Sequence, residues 1–407
     1  MLTETKSQRL TLALVGRTNV GKSTLLNRIA GQDVAIVSPI AGTTTDVVEK
    51  TMELSPFGPL LWLDTGGWND PSALGAIRRE RTSQALARAD IIVGVLTAET
   101  KDLDLELVAL AHENRKPLLI VVTQTDLFPP QADWLHQLEQ LHAPILLCGA
   151  ETNRETFLSS FKTVLLEILP KEFIVPPELL AGIVPKGGTV LQIIPIDSQA
   201  PKGRIILPQM NVLRNALDRD YFSVVVTENR IREAVERCHP DLVICDSQIV
   251  NRMIEEIPAD LPATTYSILM ARIKGDLRAL AEGAAAIRRL RDGDVVLIGE
   301  ACTHHAAEDD IGRVKIPRWI QQHTGKTLTF DIASGKDFPK DLSKYALIVH
   351  CGGCMINRAF MLWRMEQAHT AQVPITNYGV CISETQHVLE RVLAPFGIVI
   401  GEPKPLT

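Results

Sequence analysis

The sequence is short of positive charge. Its 42 lysines and arginines stand against 48 aspartates and glutamates, for a formal net charge of −6. A protein that neutralises nucleic-acid phosphates needs a basic surplus, so no nucleic-acid partner is expected. Nor does any apolar run reach the roughly 18 residues that a membrane-spanning helix requires, so no membrane association is expected. The opening segment, MLTETKSQRL, lacks the apolar stretch of a secretory signal, which makes the cytoplasm the expected location. The seven cysteines are odd in number, and in a cytosolic chain they are not a disulfide framework. Cys148, Cys238, Cys245 and Cys381 are scattered and read as small buried hydrophobes.

With 407 residues, 45% of them hydrophobic, the chain is long enough for two or three domains, each with its own core. Residues 10–170 alternate apolar runs with helical or polar sequence. LTLALVG, LLWLDTGG, DIIVGVLTA, PLLIVVTQTD and PILLCGAE are the runs, and the pattern is that of a parallel sheet covered by helices. A proline- and glycine-rich stretch, LPKEFIVPPELLAGIVPKGG, reads as a linker. TVLQIIPI, RIILP, FSVVVT and DLVICDS then read as strands of a second unit that carries no motif with chemistry. In a third unit DVVLIGEAC, ALIVHCGGC and VPITNYGVC read as strands running into cysteines. The fold expected is α/β in three domains, at 1–172, 173–262 and 263–407.

Gly16-Arg17-Thr18-Asn19-Val20-Gly21-Lys22-Ser23 fits the P-loop pattern, and it sits between a strand and a helix as that loop must. Glycines let backbone N–H groups approach phosphate oxygens, and the helix N-terminus adds partial positive charge. Asn19, Val20, Gly21, Lys22, Ser23 and Thr24 are the expected phosphate contacts. Lys22 brings a full charge to the outer phosphates, and the Ser23 hydroxyl suits Mg²⁺. Asp64 of Leu63-Asp64-Thr65-Gly66-Gly67 can hold Mg²⁺ through water, and the Gly67 amide can face the γ-phosphate. The threonine run in Ala41-Gly42-Thr43-Thr44-Thr45-Asp46 lies between them in sequence and can complete the Mg²⁺ shell.

These residues resemble the Era and tRNA-modification branch of GTPases, with their P-loop G-x-x-N-x-G-K-S and switch G-T-T-x-D. The resemblance implies that Thr44 is the switch threonine, a Mg²⁺ ligand, and that Asn19 ligates a K⁺ ion at the phosphates. It also implies that Lys22, Thr44, Asp64 and Gly67 form the catalytic set. Trp68 stands where Ras-like enzymes place a water-orienting glutamine, so slow intrinsic hydrolysis is expected. The base-reading N-K-x-D is here Thr123-Gln124-Thr125-Asp126. Asp126 can accept two hydrogen bonds from guanine, but Thr123 replaces the usual bracing asparagine and Gln124 the lysine that packs on the base. Cys148-Gly149-Ala150 stands for the S-A-K element, placing Ala150 at the base.

The second constellation is Cys302-Thr303-His304 with His350-Cys351-Gly352-Gly353-Cys354. Two cysteines at this spacing reach one metal from a single tight turn. Three thiolates suit a [4Fe-4S] cluster, with His304 or His350 as candidate fourth ligand. A Cys₃His zinc site on Cys302, His304, Cys351 and Cys354 fits the same residues. His305 and His323 read as solvated. On the zinc reading, the chain is a ribosome- or tRNA-modification-associated GTPase with a structural zinc site.

The GTPase motifs joined to C-x-H and H-C-x-x-C resemble the [FeFe]-hydrogenase maturation GTPase family, HydF, over essentially the whole chain. That resemblance implies a GTPase scaffold in which Cys302, Cys351 and Cys354 hold a [4Fe-4S] cluster. It further implies a transient di-iron precursor delivered to the apo-hydrogenase, radical SAM maturases as partners, and a homodimer formed through the middle domain. GTP/GDP, Mg²⁺ and K⁺ complete the expected cofactors.

Overall fold

The computed structural model describes residues 9–31, 47–65, 75–99, 109, 111, 114–170, 173, 179–196, 205–301, 310–335, 338–353 and 355–400. They fall into two compact units, Met1–Pro176 and Pro177–Thr407.

The first unit is built on a six-stranded sheet. Its strands are β1 (Thr11–Val15), β2 (Val48–Leu54), β3 (Gly58–Asp64), β4 (Ile91–Thr97), β5 (Leu118–Thr123) and β6 (Ile145–Cys148), in the order β2-β3-β1-β4-β5-β6. All pairings are parallel except β2 with β3. The apolar runs explain the layering. Side chains alternate across a strand, so a strand covered on both faces must be apolar at every position. In β1, Leu12 and Leu14 enter one core with Leu25, Phe157 and Phe161, while Ala13 and Val15 enter the opposite core with Leu61 and Leu86. The helix Lys22–Ala30 starts from Gly21 at φ 88° and stops at Gly31 at φ 77°. Both are left-handed conformations that glycine adopts without strain.

The second unit contains two four-stranded sheets. Strands β7 (Thr189–Ile193), β8 (Phe222–Val226), β9 (Leu242–Cys245) and β10 (Ala263–Thr265) form one, in the order β10-β9-β7-β8. Strands β11 (Val295–Glu300), β12 (Thr329–Ser334), β13 (Leu347–His350) and β14 (Ile375–Asn377) form the other, in the order β12-β11-β13-β14. Every pairing in both sheets is parallel. The helix Leu277–Ala285 lies so close on β14 that a Cβ at Gly283 would stand 1.9 Å from the Ile375 carbonyl oxygen.

Several expectations are corrected here. Residues 205–208 of RIILP form no strand: Leu207 and Pro208 open the helix Leu207–Asp218, with proline in its first turn where a missing N–H costs nothing. Strands β2, β10 and β12 had no clear sequence signal. β10 adds to the middle sheet beyond residue 262, where the sequence had suggested a boundary. Cys381 does not end a strand; it is buried within the helix Tyr378–Thr385, and burial holds its thiol well above the ordinary cysteine range.

Candidate functional site

The P-loop leaves β1 at Gly16. A Cβ there would lie 2.4 Å from the Val95 carbonyl oxygen, so only glycine lets the loop pass β4. Asn19 follows in a left-handed conformation at φ 65°. Ser23 and Thr24 are exposed at the start of the helix. Lys22 Nζ folds over its own loop, donating to the Gly16 carbonyl at 2.9 Å and the Arg17 carbonyl at 2.7 Å. Burial lowers the Lys22 pKa, and the Asp64 carboxylate partly opposes that shift.

Asp64 closes β3. It also has a partner the sequence did not suggest: Lys50 on β2, whose Nζ lies 3.0 Å from Asp64 Oδ2. Thr65 is fixed to β1 through its hydroxyl, which donates to the Leu14 carbonyl at 2.8 Å. Thr44, Gly67 and Trp68 lie outside the described residues.

The altered base-reading segment keeps its bracing by other means. The buried Thr123 hydroxyl is placed to donate to the P-loop carbonyl of Val20 and to the Leu96 carbonyl at 3.0 Å. Gln124 Nε2 donates to the Asn19 carbonyl at 3.0 Å. Asp126 Oδ1 accepts from the Ala150 amide at 2.9 Å. Gly149 packs closely there: a Cβ would stand 2.7 Å from Thr125 Oγ1 and 2.9 Å from Asp126 Oδ1, so a larger residue would need those side chains to turn aside. Arg28 on the P-loop helix donates to the Gly149 carbonyl at 2.8 Å, tying the two loops together. Asn19, Val20, Gly21, Lys22, Thr123, Asp126 and Ala150 therefore border one face at the carboxyl edge of the sheet, where an open α/β sheet takes its ligand.

In the second unit, β11 and β13 run side by side, with Gly299 paired to His350. Cys351 emerges at their carboxyl ends. Its amide donates to the Gly299 carbonyl at 2.7 Å, and its Sγ accepts from the Ala301 amide at 3.1 Å. Cys302 follows Ala301 directly, but Cys302, His304 and Cys354 lie outside the described residues. Among the described residues no three His, Cys, Asp or Glu side chains gather as a metal site. Gly353 turns at φ 64°, and Lys274 Nζ secures the turn through the carbonyls of Gly353 at 2.6 Å and Ile356 at 3.1 Å.

His350 is corrected as a candidate ligand. It is 0% exposed, and both ring nitrogens are engaged. Nδ1 donates to the Cys351 carbonyl at 2.7 Å, and Nε2 accepts from Arg364 Nη1 at 2.6 Å. A carbonyl only accepts and a guanidinium only donates, so these partners fix the tautomer. Burial, helped by the Arg364 charge, pushes the His350 pKa down to about 3. His323 is not solvated either: its ring packs 4.7 Å from that of His387 and faces Glu384 at 3.5 Å.

Four residues that shape this end of the sheet carry no sequence signal. Arg364 is one. Glu300, 1% exposed, is paired with Arg313 at 2.7 Å. The hydroxyl of Tyr378, which burial makes a weaker acid, is buried against Gly312 without a hydrogen-bond partner among the described residues. These settings fit an anionic metal–thiolate group: a sulfur at two strand ends with an amide donating to it, and an unsatisfied donor nearby.

The strand–loop–helix geometry and the base loops around it define a P-loop GTPase domain. In keeping with this, residues 11–124 match the family model described as 50S ribosome-binding GTPase. The remainder is more particular: residues 179–275 match the Hydrogen maturase F dimerization domain, and 278–395 the Hydrogen maturase F tetramerization domain. The chain belongs to the hydrogen maturase F family. Among curated proteins it is similar to GTPase Der of Persephonella marina, 34% identical over 166 residues, covering 37% of this chain and 37% of that protein. It is also similar to the tRNA modification GTPase MnmE of Streptococcus pyogenes serotype M4, 38% identical over 148 residues, covering 36% of this chain and 31% of that protein. The chain thus spans about a third of the length of these relatives. Among solved structures, Era of Aquifex aeolicus bound to GDP·AlF4− aligns with TM-score 0.34 and 22% identity, covering 56% of this chain and 97% of that one.

Proposed function

We propose that the chain is a GTP-hydrolysing scaffold for hydrogenase maturation. It holds a [4Fe-4S] cluster on Cys302, Cys351 and Cys354 and a transient di-iron precursor that it delivers to the apo-hydrogenase, working with radical SAM maturases. The observation that carries this reading is Cys351, whose sulfur takes an amide hydrogen bond at the carboxyl ends of β11 and β13, in a chain of the hydrogen maturase F family. Neutral His350 leaves the cluster to the cysteines, and His304 remains the candidate fourth ligand. A cluster with one weakly held iron can release cargo, which a fourth firm thiolate would oppose. Cys351→Ser tests the reading. The variant should hydrolyse GTP as the wild type does, while losing the visible absorption of the cluster and all maturation activity. Full maturation by that variant refutes the scaffold. A colourless, zinc-loaded wild type would instead favour the ribosome- or tRNA-associated GTPase.

At the nucleotide, Lys22 and the loop amides bind the phosphates, while Ser23, Thr44 and Asp64 would hold the Mg²⁺ that neutralises charge developing on the transferred phosphoryl group. The Gly67 amide would serve the γ-phosphate. Asp126 keeps enough lone pairs after accepting from Ala150 to take both guanine donors. Asn19 ligates K⁺, so turnover should be faster in K⁺ than in Na⁺, and Asn19→Ala should erase the difference. Equal turnover of the wild type in both salts sinks the cation role.

The homodimer forms through the middle sheet. Among the described residues β8 is an edge strand, and Phe222 on it is 70% exposed, with Val225 at 46%. Leu217 on the preceding helix is 63% exposed. A bare apolar edge of this kind is satisfied by a second copy adding its own strand.

A further inference from the structure

Arg364 is buried to 1% exposure beneath the Cys351 turn. One guanidinium nitrogen donates to His350 Nε2 at 2.6 Å and the other to the Gly335 carbonyl at 2.7 Å. The rings of Phe338 and Phe360 lie 4.8 Å from it. Every one of these partners is neutral, and His350 stays neutral because it already receives a proton donor. A cation removed from water is costly unless an opposite charge compensates it. Among the described residues no carboxylate is bonded to Arg364. Burial draws its pKa down to about 10, which leaves it charged at neutral pH, and the one group that favours its charge is Cys351. Lys274, also buried, points its ammonium at the carbonyls on the other side of the same turn.

We propose that Arg364 is the fixed counter-charge of the metal–thiolate group held at Cys351, a positioning residue that raises the reduction potential of that group and slows its loss. This rests on the cluster reading above. The arrangement differs from a surface salt bridge in two ways. The guanidinium is locked by two hydrogen bonds and two aromatic faces, so it needs no reorganisation when the anionic group arrives. It is also shielded from solvent, so salt does not screen it. Adding an electron makes the group more negative, and a fixed positive charge favours the more negative state. His350 has a role in this scheme without being a ligand: its Nδ1–H holds the Cys351 carbonyl and its Nε2 holds Arg364, linking the cation to the turn.

The test is an EPR-monitored redox titration of the anaerobically reconstituted full-length protein, with the rate of iron loss to a chelator as a second readout. Arg364→Gln keeps hydrogen bonding to His350 and Gly335 but removes the charge. The expected result is a more negative midpoint potential and faster iron loss. Arg364→Lys keeps a charge without the fork, and its midpoint should stay close to that of the wild type. A purely structural role makes the two variants alike instead. Arg364→Gln with the wild-type midpoint and iron-loss rate overturns the inference. Should that variant not fold, a shifted midpoint in Arg364→Lys overturns it equally, and an unshifted one supports it. A wild type that takes up no cluster refutes the scaffold reading itself, which is a different failure.

Discussion

Thr123→Val tests the nucleotide half of the chain at its least expected contact. Valine has nearly the shape of threonine, so the packing against Gly21 is kept while the hydroxyl is lost. That hydroxyl is buried between the Val20 carbonyl of the P-loop and the Leu96 carbonyl of β4. It carries a single proton, so one hydrogen bond is lost and not two. Losing one such bond while its acceptor stays buried costs about 1–3 kcal/mol. The bond joins the P-loop to the end of β5, three residues before Asp126, so the cost falls on holding the phosphate and base contacts in register. If all of it is expressed in binding, GDP affinity drops by roughly five- to 140-fold, since about 1.4 kcal/mol is a factor of ten. Titration of a fluorescent GDP analogue into the full-length protein reads this directly. Thr123→Ser retains the hydroxyl and should bind close to wild type. A Thr123→Val protein with wild-type affinity would show that the hydroxyl does not brace the loop.

Gly16→Ala should abolish nucleotide binding while the second unit stays folded, because the new Cβ meets the Val95 carbonyl at 2.4 Å in a strand that cannot move aside; isothermal titration with GDP checks it. Arg313→Met removes the guanidinium that grips the buried Glu300 carboxylate at 2.7 Å, and should destabilise the second unit; pulse proteolysis in urea measures this, and adding Glu300→Gln should recover part of the loss. Burial holds the His323 pKa below its ordinary 6.5, and Glu384 only partly opposes it. The unfolded chain therefore takes up that proton first. His323 thus contributes stability that is present above pH 6.5 and lost as the pH falls below it. His323→Gln should flatten the acid side of the stability profile of the second unit.

The legible parts of the molecule were those written in consecutive residues. The P-loop needs glycines, a lysine and a hydroxyl at fixed spacing, and β1, β4 and β5 are doubly covered strands that must be apolar throughout. Their sequences announce both. β2 and β12 lie at sheet edges, where one side needs no partner, so VEKTMEL and TFDIAS mix polar with apolar residues and hide as loops. β10 has three residues, too few for any period to show. The pairings that set charge were hidden for another reason. Lys50 meets Asp64 because β2 turns back antiparallel on β3, and Arg364 meets His350 because the helix Arg358–Thr370 returns over β13. Neither lysine nor arginine stands out in its own segment. His350 was misread for the same reason: beside two cysteines it looks like a ligand, and only the packing of Arg364 shows that its free nitrogen is taken.

Thr123 and Gln124 carry this one step further. By motif they are losses, since an asparagine and a lysine are missing from the base-reading segment. By contact the segment is intact at two points: a hydroxyl reaches the Val20 carbonyl where an amide side chain was expected, and the Gln124 amide reaches the Asn19 carbonyl. Both acceptors are backbone carbonyls of the P-loop, which take a hydrogen bond from any donor of suitable reach. A bracing role thus tolerates a change of residue, because it asks for a donor at a position. Reading guanine does not, because it asks for an acceptor-only group facing two donors, and among the ordinary side chains only a carboxylate supplies that. On the guanine-reading role proposed for Asp126, this is why the erosion stops there. It follows that Asp126→Asn, which turns one acceptor into a donor, should damage guanine binding far more than any change at Gln124. Competition of GTP with xanthosine triphosphate measures this directly. Xanthine presents a carbonyl where guanine has its exocyclic amine, so Asp126→Asn should shift preference toward xanthosine triphosphate. A variant that still selects GTP would show that Asp126 does not read the base.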